Sequence, residues 1–144
     1  MKHLFKLCLV ALLALSAVVT SCSKYEEGSN FSILSAKARL AGDWKLTSYT
    51  VNGTDYTANL GTRLVTIEKD GTYSGSDSYD IFGSTFTDTY NGTWNFNSDK
   101  TTVSFLETGG STPEVYTIIE LKNNEIKLEQ IVNNNTSIFT YTAQ

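Results

Sequence analysis

Apolar and polar residues alternate along most of the chain after residue 43, in short runs separated by Gly, Asn, Asp and Ser. Thr, Val, Ile, Tyr and Phe dominate these runs, and turn signals recur at hairpin spacing, which is typical of antiparallel strands. The pattern predicts about eight strands, at residues 44–51, 63–68, 72–79, 85–97, 101–106, 115–121, 125–132 and 137–142.

Short connections join these runs. Asp70-Gly71 gives the strongest hairpin signal, and Asn52-Gly53 marks another turn. Eight antiparallel strands in sequential order most simply close into an up-and-down barrel, because closure leaves no strand edge unpaired. A two-sheet sandwich is the alternative, although sandwiches usually need longer crossing connections. The predicted fold class is therefore an all-β, eight-stranded antiparallel barrel.

One helix is predicted ahead of the first strand, within residues 31–42. Ser29 or Asn30 can cap its start, and Gly42 suits its end. The segment is short, so we expect it to pack against the barrel.

The chain begins with a basic segment, followed at residues 7–19 by an almost unbroken apolar run. This run is too short for a comfortable membrane span, which needs about 20 residues, and it predicts a secretory signal peptide. The sequence Val-Thr-Ser-Cys at residues 19–22 resembles the lipobox of bacterial lipoproteins, whose cysteine carries acyl chains after cleavage. The alternative is an ordinary signal peptide with a chance cysteine at position 22.

The lipobox resemblance implies a lipoprotein signal peptide at residues 1–21 and a lipidated tether at residues 22–30. The predicted barrel domain then covers residues 31–144. Several acyl chains on Cys22 would hold the protein durably on a membrane of the cell envelope, and the outer membrane is the expected one. Glu26-Glu27 resemble signals that export some lipoproteins to the cell surface. A solvated linker explains these two residues equally well.

The composition of the chain excludes several partners and kinds of catalytic or metal site. The formal net charge is −4, and two of the basic residues lie in the signal peptide, which argues against nucleic acid as a partner. His3 and Cys8 also lie in the signal peptide, and lipid would consume Cys22. A mature domain without thiol or imidazole excludes Cys–His pairs, Ser-His-Asp triads and zinc sites built on these ligands. We therefore predict no catalytic residue, no metal site and no cofactor.

A short helix, Gly-x-Trp at the first strand and an eight-stranded meander are together similar to the lipocalin pattern. The stretches LAGDWKLTSYTVNG, VTIEKDGTYS, NGTWNFNSDKTTVSF and YTIIELKNNEIKLE look more closely like the lipocalin-like domains of bacterial lipoproteins, over residues 40–141. The resemblance implies that Trp44 closes the barrel floor. We expect its role to be a structural plug more than a ligand contact. The resemblance also implies a basic side chain over that ring. Because no Lys or Arg follows Lys127, we expect Arg39 to take this place.

Alternation along each strand predicts which side chains face the barrel interior. The inward set is Trp44, Leu46, Val65, Ile67, Tyr73, Phe86, Tyr90, Trp94, Phe96, Val103, Phe105, Val115, Ile119, Leu121, Ile126, Leu128, Phe139 and Tyr141. The candidate ligand contacts are its aromatic members Trp44, Tyr73, Phe86, Tyr90, Trp94, Phe105, Phe139 and Tyr141. The hydroxyls of Tyr73, Tyr90 and Tyr141 are expected near a mouth, where they would orient a ligand or simply reach water.

The carboxylates of Asp77, Asp80 and Asp88 lie between the third and fourth predicted strands. A pair of carboxylates can act in glycoside hydrolysis or bind calcium, but the spacing does not match a calcium-binding loop. We interpret this stretch as a solvated loop.

The predicted function is that of a lipid-anchored envelope protein whose barrel binds a small hydrophobic or amphipathic ligand without chemistry. The alternative is a structural or interaction module, with a filled barrel that docks a protein or glycan partner through its loops. The chain's seven Phe, eight Tyr and two Trp would suffice to fill a small barrel. The sequence leaves the ligand and the oligomeric state open.

Overall fold

A computed structural model describes residues 34–144, so the predicted signal peptide, Cys22 and the tether lie outside the described residues. Within this range the chain forms a short helix followed by nine strands. The helix is α1 (Ala36–Leu40), and the strands are β1 (Gly42–Val51), β2 (Thr54–Asp55), β3 (Thr62–Ile67), β4 (Thr72–Ile81), β5 (Ser84–Phe96), β6 (Thr102–Glu107), β7 (Glu114–Leu121), β8 (Glu125–Val132) and β9 (Asn135–Ala143).

Pairing of β1 with β9 closes the sheet into a barrel. The strands from β3 to β9 pair antiparallel in sequential order, and β1 lies between β3 and β9. β2 is an additional two-residue strand, paired with the end of β1 at Val51 and followed by a 3₁₀ turn at Thr57–Asn59. The predicted eight-stranded antiparallel barrel is confirmed. The alternation of apolar and polar residues did not predict β2, because a two-residue strand is too short to show alternation.

The two ends of the barrel differ, and we call them the floor and the mouth. The floor holds α1, the start of β1 and the tight β3–β4 turn, in which Gly71 adopts the left-handed conformation with φ 100°. The mouth holds β2, the β4–β5 hairpin, the loop at residues 108–113 and the β8–β9 hairpin.

The helix seals the floor. The Ser35 hydroxyl accepts a hydrogen bond from the Ala38 N–H at 3.1 Å, so Ser35 is the N-cap of α1. The predicted caps Ser29 and Asn30 lie outside the described residues. Leu40 is fully buried, and its carbonyl oxygen accepts a hydrogen bond from the Trp44 indole N–H at 2.9 Å. Among residues 34–144, no helix has the length and apolar character needed to cross a membrane.

Arg39 joins the helix to the end of β7, because its guanidinium donates to the Leu121 carbonyl oxygen at 2.6 Å. The cation–π contact at the floor involves Lys37, whose Nζ lies 5.9 Å from the centroid of the Trp94 ring. Stacking of Arg39 over Trp44 stays a prediction.

A β-bulge in β7 reverses the predicted inward set there. The pairing with β8 shifts between Ile118 and Glu120. Upstream of the bulge Tyr116 and Ile118 face the core and Val115 is 51% exposed, so the inward assignment of Val115 was wrong. Ile119 is buried at the bulge but lies outside the main core cluster. Leu121, downstream of the bulge, is inward as predicted.

The β4–β5 hairpin is longer than predicted and projects from the mouth. β3 pairs with β4 only as far as Ser78, and β6 pairs with β5 only from Gly92 onwards. Phe86 has the inward parity that alternation predicts, but it lies on this projection and is 48% exposed. Its assignment to the barrel interior was therefore wrong.

Candidate functional site

An open cavity of about 480 Å³ occupies the barrel between the floor and the mouth. Trp44 and Ile67 line its floor end, and Gln130 and the loop residue Thr112 line its mouth end. This volume lies within the range of small-molecule sites, which is about 300–1,000 Å³. The barrel is therefore not filled by its own aromatic side chains, in contrast to the alternative expected from composition.

Aromatic rings in edge-to-face contact form the apolar wall of the cavity. The Tyr73 and Phe105 centroids are 5.1 Å apart at 81°, and those of Phe105 and Tyr116 are 6.0 Å apart at 74°. Tyr116 in turn meets Phe139 at 5.7 Å and 84°. Such pairs hold one another in defined orientations. The wall is thus a preformed surface for an apolar ligand body.

Two glycines make room for this wall. Gly75 lies opposite Tyr90 across β4 and β5, and the Tyr90 ring covers the position where a Cβ of Gly75 would sit. Gly92 lies opposite Tyr73, and a Cβ there would meet the Tyr73 ring and the backbone of β6. Larger residues at either position would displace a ring or separate the strands.

An ion pair lies inside the barrel, on the wall formed by β3 and β4. Arg63 donates from Nε to Asp77 Oδ1 at 2.8 Å and from Nη2 to Oδ2 at 2.6 Å. The side chains are 28% and 24% exposed, so the pair is shielded from bulk water but reachable from the cavity. The hydrogen bond with Asp77 raises the pKa of Arg63 above its usual value, and the guanidinium stays cationic.

Two tyrosine hydroxyls adjoin this pair. Tyr90 donates to Asp77 Oδ1 at 3.4 Å, and the Tyr141 phenol lies beside Arg63. Burial raises the pKa of Tyr90, and the Asp77 charge raises it further. Burial likewise raises the pKa of Tyr141. Both phenols are therefore neutral at physiological pH and place hydroxyl groups beside the Arg63–Asp77 pair, midway along the cavity.

Two further carboxylates lie at the mouth, on either side of the loop at residues 108–113. Glu107 ends β6 and Glu114 begins β7, and both line the cavity while remaining exposed to solvent. The Tyr116 hydroxyl donates to Glu114 Oε2 at 2.7 Å. Burial, together with this carboxylate, raises the pKa of Tyr116, and burial with the charges of Glu107 and Glu114 raises that of Tyr73. The field of the mouth carboxylates thus reaches into the cavity.

Most of the predicted ligand contacts line the cavity. Those that do are Trp44, Tyr73, Tyr90, Phe105, Phe139 and Tyr141. Trp94 is 3% exposed and donates from its indole N–H to the Glu68 carbonyl oxygen at 2.9 Å, but it belongs to the floor core and not to the cavity wall. Phe86 lies on the projecting hairpin. Tyr73 begins near the floor, opposite Ile67, and not at the mouth.

The charged residues of the cavity were not predicted. Asp77 was assigned to a solvated loop, but it lies within β4 and points into the barrel. The signal for both members of the pair was present, because Val65 and Ile67 were predicted inward and alternation extends that face to Arg63. The same period carries the inward face of β4 from Tyr73 through Gly75 to Asp77. Among residues 34–144, no group of three or more His, Cys, Asp or Glu could hold a metal ion.

A closed antiparallel barrel with a sealed floor, a Gly-x-Trp first strand and an open aromatic cavity defines a lipocalin type of architecture. The sequence model of the lipocalin-like domain family matches residues 40–128, and the chain belongs to the lipocalin-like domain family. No curated protein matches the sequence.

Several solved structures are similar to this chain at low sequence identity. Japanin from Rhipicephalus appendiculatus, in a structure bound to cholesterol, has a TM-score of 0.57 and 12% identity, over 76% of this chain and 79% of japanin. Bovine odorant-binding protein, in complex with a selenium-containing odorant, has a TM-score of 0.47 and 10% identity, over 81% of this chain and 78% of that protein. A redesigned β-barrel has a TM-score of 0.45 and 14% identity, over 79% of this chain and 99% of the design.

Proposed function

We propose that this protein is a container for a small hydrophobic or amphipathic molecule and performs no chemistry on it. The observation that carries the proposal is the open cavity of about 480 Å³, with a closed floor and an aromatic wall. Japanin, which shares the fold, is bound to cholesterol in its structure, so a barrel of this shape can hold a compact apolar molecule. Aromatic rings bind the apolar body of such a ligand, and the tyrosine hydroxyls orient its polar end.

Native mass spectrometry of the purified protein, before and after organic extraction, tests this function. We expect extra mass that extraction removes. Replacing Leu128, which lines the cavity and is 5% exposed, by Trp should fill the cavity and lower the ligand-bound fraction several-fold. The matched control is Ile131→Trp on the same strand, because Ile131 is 65% exposed and lies outside the cavity. Equal occupancy in both variants would place the ligand elsewhere and contradict the proposal.

We also propose that the protein is anchored to a membrane of the cell envelope through lipid on Cys22. The support is the sequence alone, in which the lipobox directly follows an apolar run. Cys22→Ser should move the protein from the membrane fraction to the aqueous phase of a detergent partition. Cys8→Ser, within the apolar run, is the control and should leave the protein in the membrane fraction. Membrane retention of the Cys22→Ser protein would contradict lipidation.

A second candidate function, docking of a protein partner, is favoured by the tip of the β4–β5 hairpin. Phe82 is fully exposed at 105%, and Ile81 beside it is 46% exposed. Phe82 also has a positive φ of 50°, a conformation that suits Asn or Gly better than Phe. The side chain gains no packing from the fold, and this exposure supports a contact with a partner. A photo-crosslinker at position 82 should then capture a protein in the envelope, and one at Asn134, in the neighbouring mouth turn, should not.

A further inference from the structure

The charges that line the cavity do not balance. Asp77, Glu107 and Glu114 contribute three carboxylates, and Arg63 contributes one guanidinium. Both oxygens of Asp77 accept hydrogen bonds from Arg63, so this cation is already neutralised. The excess negative charge therefore resides at the mouth, on Glu107 and Glu114, where a ligand would place its polar end.

The mouth carboxylates have no cation beside them in the cavity wall. The other polar groups of the lining near the mouth, Thr112 and Gln130, are uncharged. An anionic ligand head would meet two repelling carboxylates and would have to displace Asp77 to reach Arg63. A cationic head would meet both carboxylates directly, in a partly enclosed site where charges interact more strongly than in open water.

The aromatic wall adds a second attraction for a cation. The faces of aromatic rings carry partial negative charge, and ammonium groups bind against them. Tyr116 lies next to Glu114, and its ring belongs to the same edge-to-face series as Phe105 and Phe139. Carboxylates at the rim and aromatic rings below them form the combination that recognises an ammonium group attached to an apolar body.

We propose that the ligand of this barrel is an amphiphilic amine, whose ammonium group lies between Glu107 and Glu114 and whose apolar part lies on the aromatic wall. This inference rests on the proposed container function and names the ligand class for the same cavity. An uncharged amphiphile would gain only the apolar contacts. A fatty acid would gain these contacts but oppose the field of the carboxylates.

The test uses three ligands with the same ten-carbon chain and different heads: decylamine, decanol and decanoic acid. Each is titrated below its micelle concentration into the purified protein at neutral pH, and binding is followed by calorimetry. We expect decylamine to bind about tenfold more tightly than decanol, with decanoic acid the weakest of the three. The preference for the amine should also decline as salt is raised, because screening weakens charge interactions at an open mouth.

A variant with both Glu107→Gln and Glu114→Gln should reduce the ratio of decylamine to decanol affinity to about 1–3, since most of the charge attraction is removed. Glu68→Gln is the matched control, because Glu68 is an exposed carboxylate at the floor, outside the cavity lining. It should keep the full amine preference. Circular dichroism checks that both proteins are folded.

The outcomes separate the two proposals. If decanol or decanoic acid binds as tightly as decylamine, the amine inference is overturned and the container function stands. If the double variant keeps the preference, the carboxylates do not cause it and the inference is likewise overturned. If no ligand of the series binds and native mass spectrometry finds no extractable molecule, the container function itself fails.

Discussion

Arg63 and Asp77 face each other across β3 and β4 and join through two hydrogen bonds inside the barrel, at 2.8 and 2.6 Å. Each side chain satisfies the charge of the other on one wall of the cavity. Asp77→Asn would leave Arg63 charged but without its counter-ion. Breaking a fully buried pair costs about 3–5 kcal/mol. We expect about 1–3 kcal/mol here, because the two side chains are 28% and 24% exposed.

A double-mutant cycle with Arg63→Gln and Asp77→Asn, measured by urea unfolding, checks this value. The double variant removes both charges, so it should be more stable than the sum of the single effects predicts, by about 1–2 kcal/mol. Simple additivity of the two single variants would show that the pair contributes nothing beyond its separate contacts.

Asp77→Asn should also change which ligand the cavity prefers. The variant removes one of the carboxylates of the lining and releases Arg63 to bind an anion. The affinity for decanoic acid relative to decylamine should therefore rise, by about tenfold. Calorimetric titration of both ligands into the wild-type and variant proteins measures the ratio. An unchanged ratio would mean that the ligand head does not reach the Arg63–Asp77 pair.

The two tryptophans can be told apart by fluorescence. Both are buried at the floor, at 2% and 3% exposure, but Trp44 lines the cavity and Trp94 does not. A protein with Trp94→Phe should keep the change in emission on ligand binding, and one with Trp44→Phe should lose it. Each substitution removes an indole hydrogen bond, and we expect each to cost about 1–3 kcal/mol in urea unfolding. A ligand response from Trp94 alone would place the ligand outside the cavity.

Strand positions were predictable from the sequence to within a few residues, because the inward face of a barrel strand repeats every second residue. β8 was predicted at its observed bounds, Glu125–Val132. The bulge in β7 was not predictable in this way, because one inserted residue reverses the period with no mark in composition. Val115 was therefore wrongly assigned to the inward face. Val and Tyr are equally common in strands, so residue type did not show that Tyr116, and not Val115, faces the core.

The sequence predicted the aromatic residues of the candidate site but not its charged residues. Trp44, Tyr90 and Phe105 were found because large apolar residues at inward positions are expected in a barrel. Arg63 and Asp77 have the same inward parity, but charged residues near strand ends are usually solvated. Only the register across the β3–β4 hairpin shows that these two charges neutralise each other. The position of Phe86 likewise depends on where the neighbouring strands stop, which no pattern within β5 indicates.

The buried phenols should make the fold less stable at alkaline pH. Burial raises the pKa of Tyr90, Tyr116 and Tyr141 above the ordinary value of about 10. Below that pH the phenols are neutral in both the folded and unfolded states and stability is unaffected. Above it the unfolded chain ionises first, so the free energy of unfolding should fall as the pH rises from 10 to 12. Ultraviolet titration should show fewer phenolates at pH 11 in native protein than in urea. Superimposed curves would contradict the raised pKa values.

Tyr116→Phe separates this effect from general alkaline damage. The variant has no phenol at this position to ionise, so its loss of stability between pH 9 and 11 should be smaller than that of the wild type. The comparison is made by urea unfolding at each pH. Parallel losses in the two proteins would mean that Tyr116 does not contribute to the alkaline transition.

Glu120 should control stability in acid. It is a charged side chain on β7 with only 3% exposure, paired with Lys122 and lying 3.8 Å from Lys127. Burial alone would raise the pKa of Glu120, but hydrogen bonds with Lys122 and Glu125 and the charges of the lysines lower it overall. The ion pair therefore stabilises the fold fully above the ordinary pKa of Glu, about 4.3, and this contribution is lost as pH falls through the lower folded-state pKa.

Glu120→Gln should lower the free energy of unfolding by about 1–3 kcal/mol at pH 7. The cost is below that of a fully buried pair because Lys122 is 40% exposed and can turn toward water. The difference between variant and wild type, measured by urea unfolding, should shrink as the pH is lowered from 6 to 2, since protonation of Glu120 removes the same charge. Glu129→Gln, an outward-facing change on β8, is the control and should change the free energy of unfolding at pH 7 by less than about 0.5 kcal/mol. A difference at Glu120 that stays constant down to pH 2 would mean that packing, and not charge, is what the residue contributes.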